Sequence, residues 1–545
     1  MDFASAHEKK ILFLTAVSLI AAITVSICFW DIPDRDLVHR YIPMAEAFAA
    51  RDFAYAFHPR IQPLQPVCGG IIAFLTGADG FLALKIASAL WHIAGGVLLY
   101  ILFRELYPDD RKVAVWGTVL YAFFPYMFHE SFSGLRESAK GFFLILIVLA
   151  LTRIRRASGR WSPYILLGAA CGLATLVRAE LLAFGVFCLL CAAVFESDET
   201  PGPPKRTAVA ALISFLLTSV NMTTNYIFYR TTMPDVRYAT LFQQLAGRHA
   251  GPLDGAIFIV CACLLIPALG WAMSKLLRRV KAGWVWLAVF LLTAAITAYT
   301  ARIGRGTVGE LLYTLLQALY YYVIGLALIH IVSIVWQKKM TREEHVVLIV
   351  VTANILLFTL QTQLFHHKLA LSVRYVYPVT PLLFGFFLLG WIDIYRWLSP
   401  FLPRWFANLA MASSIIGLIT MYAIHCPQPL YWNYRDRDEI ANRKGVMEIK
   451  RMISDNYRGI RRETAPHRML WHYQSPHHPK IWFGDKRWVS VVTYLVDGSI
   501  ARKPEKADFV VAVDLHGYWK KHRKRLKYIG TAEVNERKYK VWRVR

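Results

Sequence analysis

Apolar residues run along this chain in long blocks, not in the spaced stripes of a water-soluble fold. Thirteen blocks approach the ~20 residues needed to cross a hydrocarbon core: 11–30, 81–103, 113–130, 138–152, 163–179, 181–195, 207–228, 255–273, 283–301, 311–336, 345–364, 376–398 and 407–425. In lipid every backbone polar group must be satisfied internally, which leaves helices and closed barrels. Blocks this long and continuous exceed barrel strands. The pattern predicts an all-α polytopic membrane protein of about 13 transmembrane helices.

Two stretches break the pattern. Residues 31–66 follow the first apolar block and are too polar to form a second. Within them Tyr41, Met44, Ala45, Phe48 and Ala49 recur at helical spacing, with Arg40, Glu46, Arg51 and Asp52 for the polar side. Residues 67–76 are apolar but too short to span. The first outer loop, 31–76, is therefore expected to carry two helices lying along the interface. The second break is the tail. From about 428 to 545 it carries roughly 27 basic and 13 acidic residues, a helix-like stretch at 436–455, then short alternating runs. This predicts a small α/β domain, 428–545, after a membrane module, 1–427.

Composition agrees: 56% of the residues are apolar and 18% charged. The net charge of +26 is spread over loops and tail with no nucleic-acid motif, so nucleic acid is not expected as a partner and an anionic membrane surface or lipid substrate is. Of the eight cysteines, most fall in apolar blocks, and Cys188 and Cys191 read as small core residues rather than a redox motif. The first block has no small-x-small site after it and reads as a retained helix. With the N-terminus inside, inner loops hold roughly twenty Lys and Arg against roughly twelve outside. Residues 31–76 and the tail then lie outside, on the extracytoplasmic face of the plasma (inner) membrane.

The candidate chemistry gathers on that outer side. Asp31, Asp34 and Asp36 offer a carboxylate as general base on an acceptor hydroxyl, or as a metal ligand. A turn or helix-capping role is the plain alternative for each. No cofactor is assured, and a divalent metal is compatible with this loop. Arg136, Arg178 and Arg374 come from distant parts of the chain yet map to the outer leaflet. Cations facing a common cavity suit a phosphate headgroup, whereas a structural ion pair such as Arg178 with Glu180 is the plain alternative.

Several stretches resemble the integral-membrane C-type (GT-C) glycosyltransferases, in the branch of the protein O-mannosyltransferases and the lipid A aminoarabinose transferase. After the first helix come the acidic loop, Tyr41-Ile-Pro-Met-Ala45, Ala50-Arg-Asp-Phe-Ala54 and Gln62-Pro-Leu-Gln-Pro66. They are similar to that family's acidic-x-x-x-Tyr, Gly-Asp and Pro-Leu-x-Pro run. Gly172-Leu-Ala-Thr-Leu-Val-Arg178 resembles its Gly-Leu-Ala-x-Leu-x-Arg segment, and Arg374-Tyr-x-x-Pro378 its late Arg-Tyr-x-x-Pro element. Two positions depart. Leu37 stands four residues before Tyr41 where the acidic residue is usual, and Arg51 replaces the glycine before Asp52. The general base therefore stays open between Asp36 and Asp34.

The resemblance implies a polyprenyl-phosphate-linked sugar donor, a lipid, glycan or protein hydroxyl as acceptor, and transfer with inversion outside the membrane. It makes Arg178, Arg374 and Arg136 candidate donor-phosphate ligands, and His39, Tyr41, His58, Glu137 and Tyr375 candidate acceptor- and sugar-binding residues. The rivals are a transporter or lipid flippase, which would favour internal repeats and broken helices at the midplane, and an oligosaccharide-lipid ligase or polymerase with a large late loop.

Overall fold

The computed structural model describes residues 6–30, 37–57, 61–157, 159–199, 204–229, 242–277, 321–366, 376–398, 491–494, 509–512, 517–534 and 537–545, with a few single positions between them. They are mostly helical and end in a small sheet. The chain divides into two compact units: Met1–Ile23, Ser88–Ser131 and Arg136–Cys426 form one; Thr24–Ala87, Phe132–Leu135 and Pro427–Arg545 form the other.

The helices fall where the apolar blocks predict them. They are α1 (Ala6–Phe29), α2 (Ile42–Ala49), α3 (Phe53–Ala56), α4 (Leu64–Thr76), α5 (Gly80–Leu106), α6 (Arg111–Phe123), α7 (Pro125–Ser133), α8 (Glu137–Arg156), α9 (Ser162–Val177), α10 (Leu181–Glu199), α11 (Lys205–Tyr229), α12 (Pro252–Leu277), α13 (Tyr321–Trp336), α14 (Arg342–His366) and α15 (Phe384–Leu398), the last entered through a 3-10 turn, Tyr377–Leu383. Seven described helices are long and apolar enough to cross a membrane. The expected spans 283–301 and 407–425 lie outside the described residues. One expected span, 113–130, is two helices. Pro125 lacks an amide proton and excludes the helical conformation from the residue before it, so Phe124 is extended (φ −64°, ψ 122°) and α6 stops. His92 on α5 sits 3.2 Å from the carbonyl of Ala122 exposed by that break, its ring stacked on Tyr121.

In the first unit, two layers of ionic contacts lie at opposite ends of α8. At its C-terminal end Arg153 and Arg156 meet Glu105 of α5, Arg156 donates to Glu343 of α14, and Arg155 faces Asp198 of α10, which accepts from Ser274 of α12. At its N-terminal end stands Glu137. The 16 residues from Glu137 to Arg153 rise about 24 Å at 1.5 Å each, and the side chains between are almost all buried and apolar. The loops assigned to one side of the membrane from their charges thus meet at one end of the bundle.

In the second unit, a π-helical turn (Leu37–Tyr41) leads into α2, which packs on α4. The contact is close because α4 presents Gly70 to α2, and Gly69 does the same toward α5. A Cβ on Gly70 would stand 2.5 Å from the Phe48 Cβ, and one on Gly69 2.7 Å from Leu84. Helix α2 ends in a Schellman cap: the Arg51 amide donates to Phe48 O and the Asp52 amide to Ala47 O. Arg51 takes the left-handed conformation (φ 59°) that glycine usually supplies at this cap.

The tail contributes a four-stranded antiparallel sheet of order β1-β2-β4-β3, from β1 (Val491–Tyr494), β2 (Phe509–Ala512), β3 (Leu526–Val534) and β4 (Arg537–Val544). A short helix, α16 (Gly517–Lys521), covers one face through Trp519, packed with Val510 and Leu526. Met452, in a helical stretch, touches Gly530 on β3.

Gly70→Ala should separate α2 from α4 and cost about 1–3 kcal/mol by overpacking. Burial holds the Cys68 thiol on α4 up at about 11, so in the native protein it should alkylate slowly at neutral pH, since the thiolate is the nucleophile. Peptide-resolved alkylation should show Cys68 reacting faster in the glycine variant; an unchanged rate would show that α2 does not hold α4.

Candidate active site

The N-terminal end of α8 carries a buried cluster of charge. Arg178, 1% exposed, donates from a guanidinium NH to Glu137 Oε1 at 2.9 Å, and Glu137 is 0% exposed. Glu180 lies 3.6 Å from Arg178 Nε. Arg136 donates to the Val177 carbonyl at 3.3 Å, next to Arg178 in the chain. Lys140, one turn into α8, places its ammonium 3.8 Å from the centre of the Phe358 ring. Gln361 of α14 donates to the Glu180 carbonyl at 3.0 Å.

Local structure explains why these charges tolerate burial. Arg178 is the residue at which α9 stops: its backbone is extended (φ −148°, ψ 125°), its amide still bonds Ala174 O, and its carbonyl accepts from Leu181. A cation at a helix C-terminus meets the negative end of the helix dipole, and Glu137, the first residue of α8, meets a positive end. Each charge is favoured by its own helix before they pair. Desolvating both remains expensive, so loss of either partner strands the other. The described residues of the cluster include three cations, Arg136, Lys140 and Arg178, against the carboxylates Glu137 and Glu180.

The structure therefore brings together three sequence candidates, Arg136, Glu137 and Arg178. Tyr41, a fourth, is fully buried where the π-helical turn enters α2. Asp34, Asp36, His58, Arg374 and Tyr375 lie outside the described residues, as does the His39 side chain. Among the described residues no three His, Cys, Asp or Glu side chains form a metal-binding group.

Sequence reasoning missed two groups that anchor the acidic loop. Lys85, 6% exposed near the start of α5, donates to the carbonyls of Ile27 (2.8 Å) and Trp30 (2.9 Å), where α1 ends and the loop begins. Its charge suits that helix terminus. Gln65 of α4, 0% exposed, donates to Gly134 O at 3.3 Å, and Gly134 (φ +86°) packs on Leu37, where the loop re-enters helix. Trp30 stacks edge-on against Phe132. Both ends of the loop thus rest on the 132–135 segment and the start of α5. The signal in the sequence was a lone lysine inside an apolar helix, a residue that needs a buried partner.

Residues 58–229, about a third of the chain, match the family model for dolichyl-phosphate-mannose-protein mannosyltransferases. That segment holds Arg136, Glu137 and Arg178, and it carries the GT-C glycosyltransferase likeness that the motifs indicated. No curated protein sequence matches the chain at a significant level. Among solved structures, the apo oligosaccharyltransferase of Archaeoglobus fulgidus is similar at 14% identity and a TM-score of 0.45, over 76% of this chain and 55% of that one. The oligosaccharyltransferase AglB of the same organism, in complex with an inhibitory peptide and a dolichol-phosphate, is similar at 13% identity and a TM-score of 0.45, over 87% of this chain and 61% of that one. A further structure of the Archaeoglobus fulgidus enzyme, with Zn and sulfate, matches at 14% and 0.45 over 76% and 53%. The chain spans little more than half the length of these structures.

Glu137→Gln and Arg178→Met should each destabilise the protein by about 3–5 kcal/mol, because each leaves a charge buried without its main partner. The double variant should cost less than the sum of the two. Thermal unfolding in detergent read as a double-mutant cycle checks this; strictly additive effects would show that the two charges are not coupled.

Proposed function

We propose that the protein is a glycosyltransferase that moves a sugar from a polyprenyl-phosphate donor to an acceptor hydroxyl on a lipid, glycan or protein, at the extracytoplasmic face. The observation that carries this reading is the buried cationic cluster of Arg136, Lys140 and Arg178, lying inside the segment that matches the mannosyltransferase family model. Arginine donors suit a phosphate oxygen better than a hydroxyl.

In this reading a carboxylate of the acidic loop, Asp36 or Asp34, takes the proton of the acceptor hydroxyl. The acceptor oxygen bonds the anomeric carbon from the side opposite the phosphate, and the bond from that carbon to the phosphate oxygen breaks, inverting the centre. Negative charge grows on the departing lipid phosphate as the bond opens. Arg178, Arg374 and Arg136 stabilise it there, where fixed cations contribute most. Glu137 holds Arg178 in place, and His39, Tyr41, His58 and Tyr375 contact the acceptor or the sugar. A divalent cation at the loop carboxylates is compatible with this scheme and carries none of its steps.

Asp36→Ala and Asp34→Ala test the reading in nanodiscs supplied with a polyprenyl-phosphate sugar. Loss of the base should lower transfer about a hundredfold or more in at least one variant. Full activity in both would remove the loop from the chemistry. Movement of labelled substrate across the bilayer by the native protein, with no glycosylated product, would favour a transporter instead.

A further inference from the structure

The cations of the C-terminal sheet are arranged differently from those of the membrane helices. Residues 517–545 hold eleven Lys and Arg against two Glu. Lys520, Lys521, His522, Arg523, Lys524 and Arg525 are six consecutive exposed residues. They are not a loose tail. Trp519, 2% exposed, and Leu526 insert on either side into one core with Val510. Between those anchors the His522 amide bonds Tyr518 O (3.0 Å), the Arg525 amide bonds His522 O (2.9 Å), and the Arg545 amide bonds Arg525 O (2.8 Å). The Arg525 guanidinium donates to the Tyr518 hydroxyl at 2.9 Å. A fixed turn therefore displays the charge.

The adjoining strands extend it. Lys527 on β3 stands directly across from Arg543 on β4, a like-charge pair that weakens a sheet. Lys538 and Lys540 on β4 are exposed as well. Among the described residues no carboxylate forms an ion pair with any of these cations, whereas Arg153, Arg156, Arg178 and Arg206 of the helices all have one. On the same strands Glu533 stands across from Lys538, whereas the 520–525 turn holds no carboxylate of its own, an imbalance that an external anion would offset. Tyr528, 55% exposed, lies beside the patch with its ring edge-on to Trp542. Tyrosine and tryptophan favour the headgroup level of a bilayer.

We propose that the surface formed by Lys520–Arg525, Lys527 and Tyr528 docks on an anionic phospholipid surface. The chain is integral to a membrane, so a lipid surface accompanies the protein, and each cation brought close to an anionic bilayer favours the docked state on the order of fivefold. Docking is independent of the transfer reaction: it requires only the charges and the bilayer, so it can fail while the glycosyltransferase reading holds, and the reverse.

The test uses the full chain with an environment-sensitive fluorescent amino acid in place of Tyr528, in nanodiscs of phosphatidylcholine alone or mixed with phosphatidylglycerol, each doped with a spin-labelled lipid quencher. Quenching should rise at least about twofold with phosphatidylglycerol. It should vanish at 1 M salt, where the screening length falls to about 3 Å. Lys520→Gln, Lys521→Gln, Arg523→Gln and Lys524→Gln combined should abolish the phosphatidylglycerol effect with the unfolding temperature unchanged, since all four residues are exposed. Equal quenching in both bilayers, or a lipid effect that survives the fourfold substitution, would overturn the proposal. So would tight binding of inorganic polyphosphate at this surface with no response to phosphatidylglycerol, which would assign the patch to a soluble polyanion.

Discussion

The salt bridge between Arg178 and Glu137 fixes the geometry of the helical unit at its most expensive point. Two charges out of water are stable only while they face each other, so the end of α9 and the start of α8 must meet. Their meeting sets the level at which Arg136, Lys140 and Glu180 lie, and Gln361 brings α14 to the same level. About 24 Å away along α8, Arg153 and Arg156 tie α5 and α14 together in a second ionic layer. Helices that slid by one turn, about 5.4 Å, would break both layers at once. Polar contacts inside the bundle, such as Thr175 with the Thr218 hydroxyl and Asn221 with the Thr175 carbonyl, add to this register by joining α9 to α11.

The second unit solves a related problem for a stretch of chain that leaves one helix and enters another. Lys85 holds the exit from α1, and Gly134 with Leu37 holds the return. Gly70 lets α4 approach α2 and Gly69 lets it approach Leu84 of α5, while Gln65 of α4 donates to the Gly134 carbonyl. Arg51 shows a compromise. Left-handed backbone costs a residue with a Cβ on the order of 1–2 kcal/mol, and the Arg51 guanidinium 5.4 Å from the Phe74 ring centre returns about 0.5–1 kcal/mol at an exposed site. The departure from glycine at this position is therefore offset by about half through a contact that glycine could not make.

The helical framework was legible in the sequence because membrane spans announce themselves by length and apolarity, and even the short blocks 138–152 and 181–195 formed helices. The two helices α2 and α4 between the first apolar block and α5 were legible from spacing, and the late strands from alternation. The break at Phe124 was not, because a single proline in an otherwise apolar run permits either a kink or a stop. Side-chain pairing was least legible. Arg178 reads in sequence as a partner of Glu180, two residues on, but it donates to Glu137, 41 positions away. Sequence shows which charges are buried; only the packing of α8 on α9 shows which carboxylate reaches the guanidinium. Lys85 was overlooked for the same reason, since its acceptors are backbone carbonyls that carry no sequence signature.

The most direct test of the role given to the buried cations is a structure of the protein in a nanodisc with a polyprenyl phosphate bound. The expected result places the phosphate at the N-terminal end of α8, within about 4 Å of at least one of Arg136, Lys140, Arg178 and Arg374, the reach of an ion pair. A phosphate bound instead at the opposite layer, against Arg153, Arg155 or Arg156, or away from both layers, would contradict it.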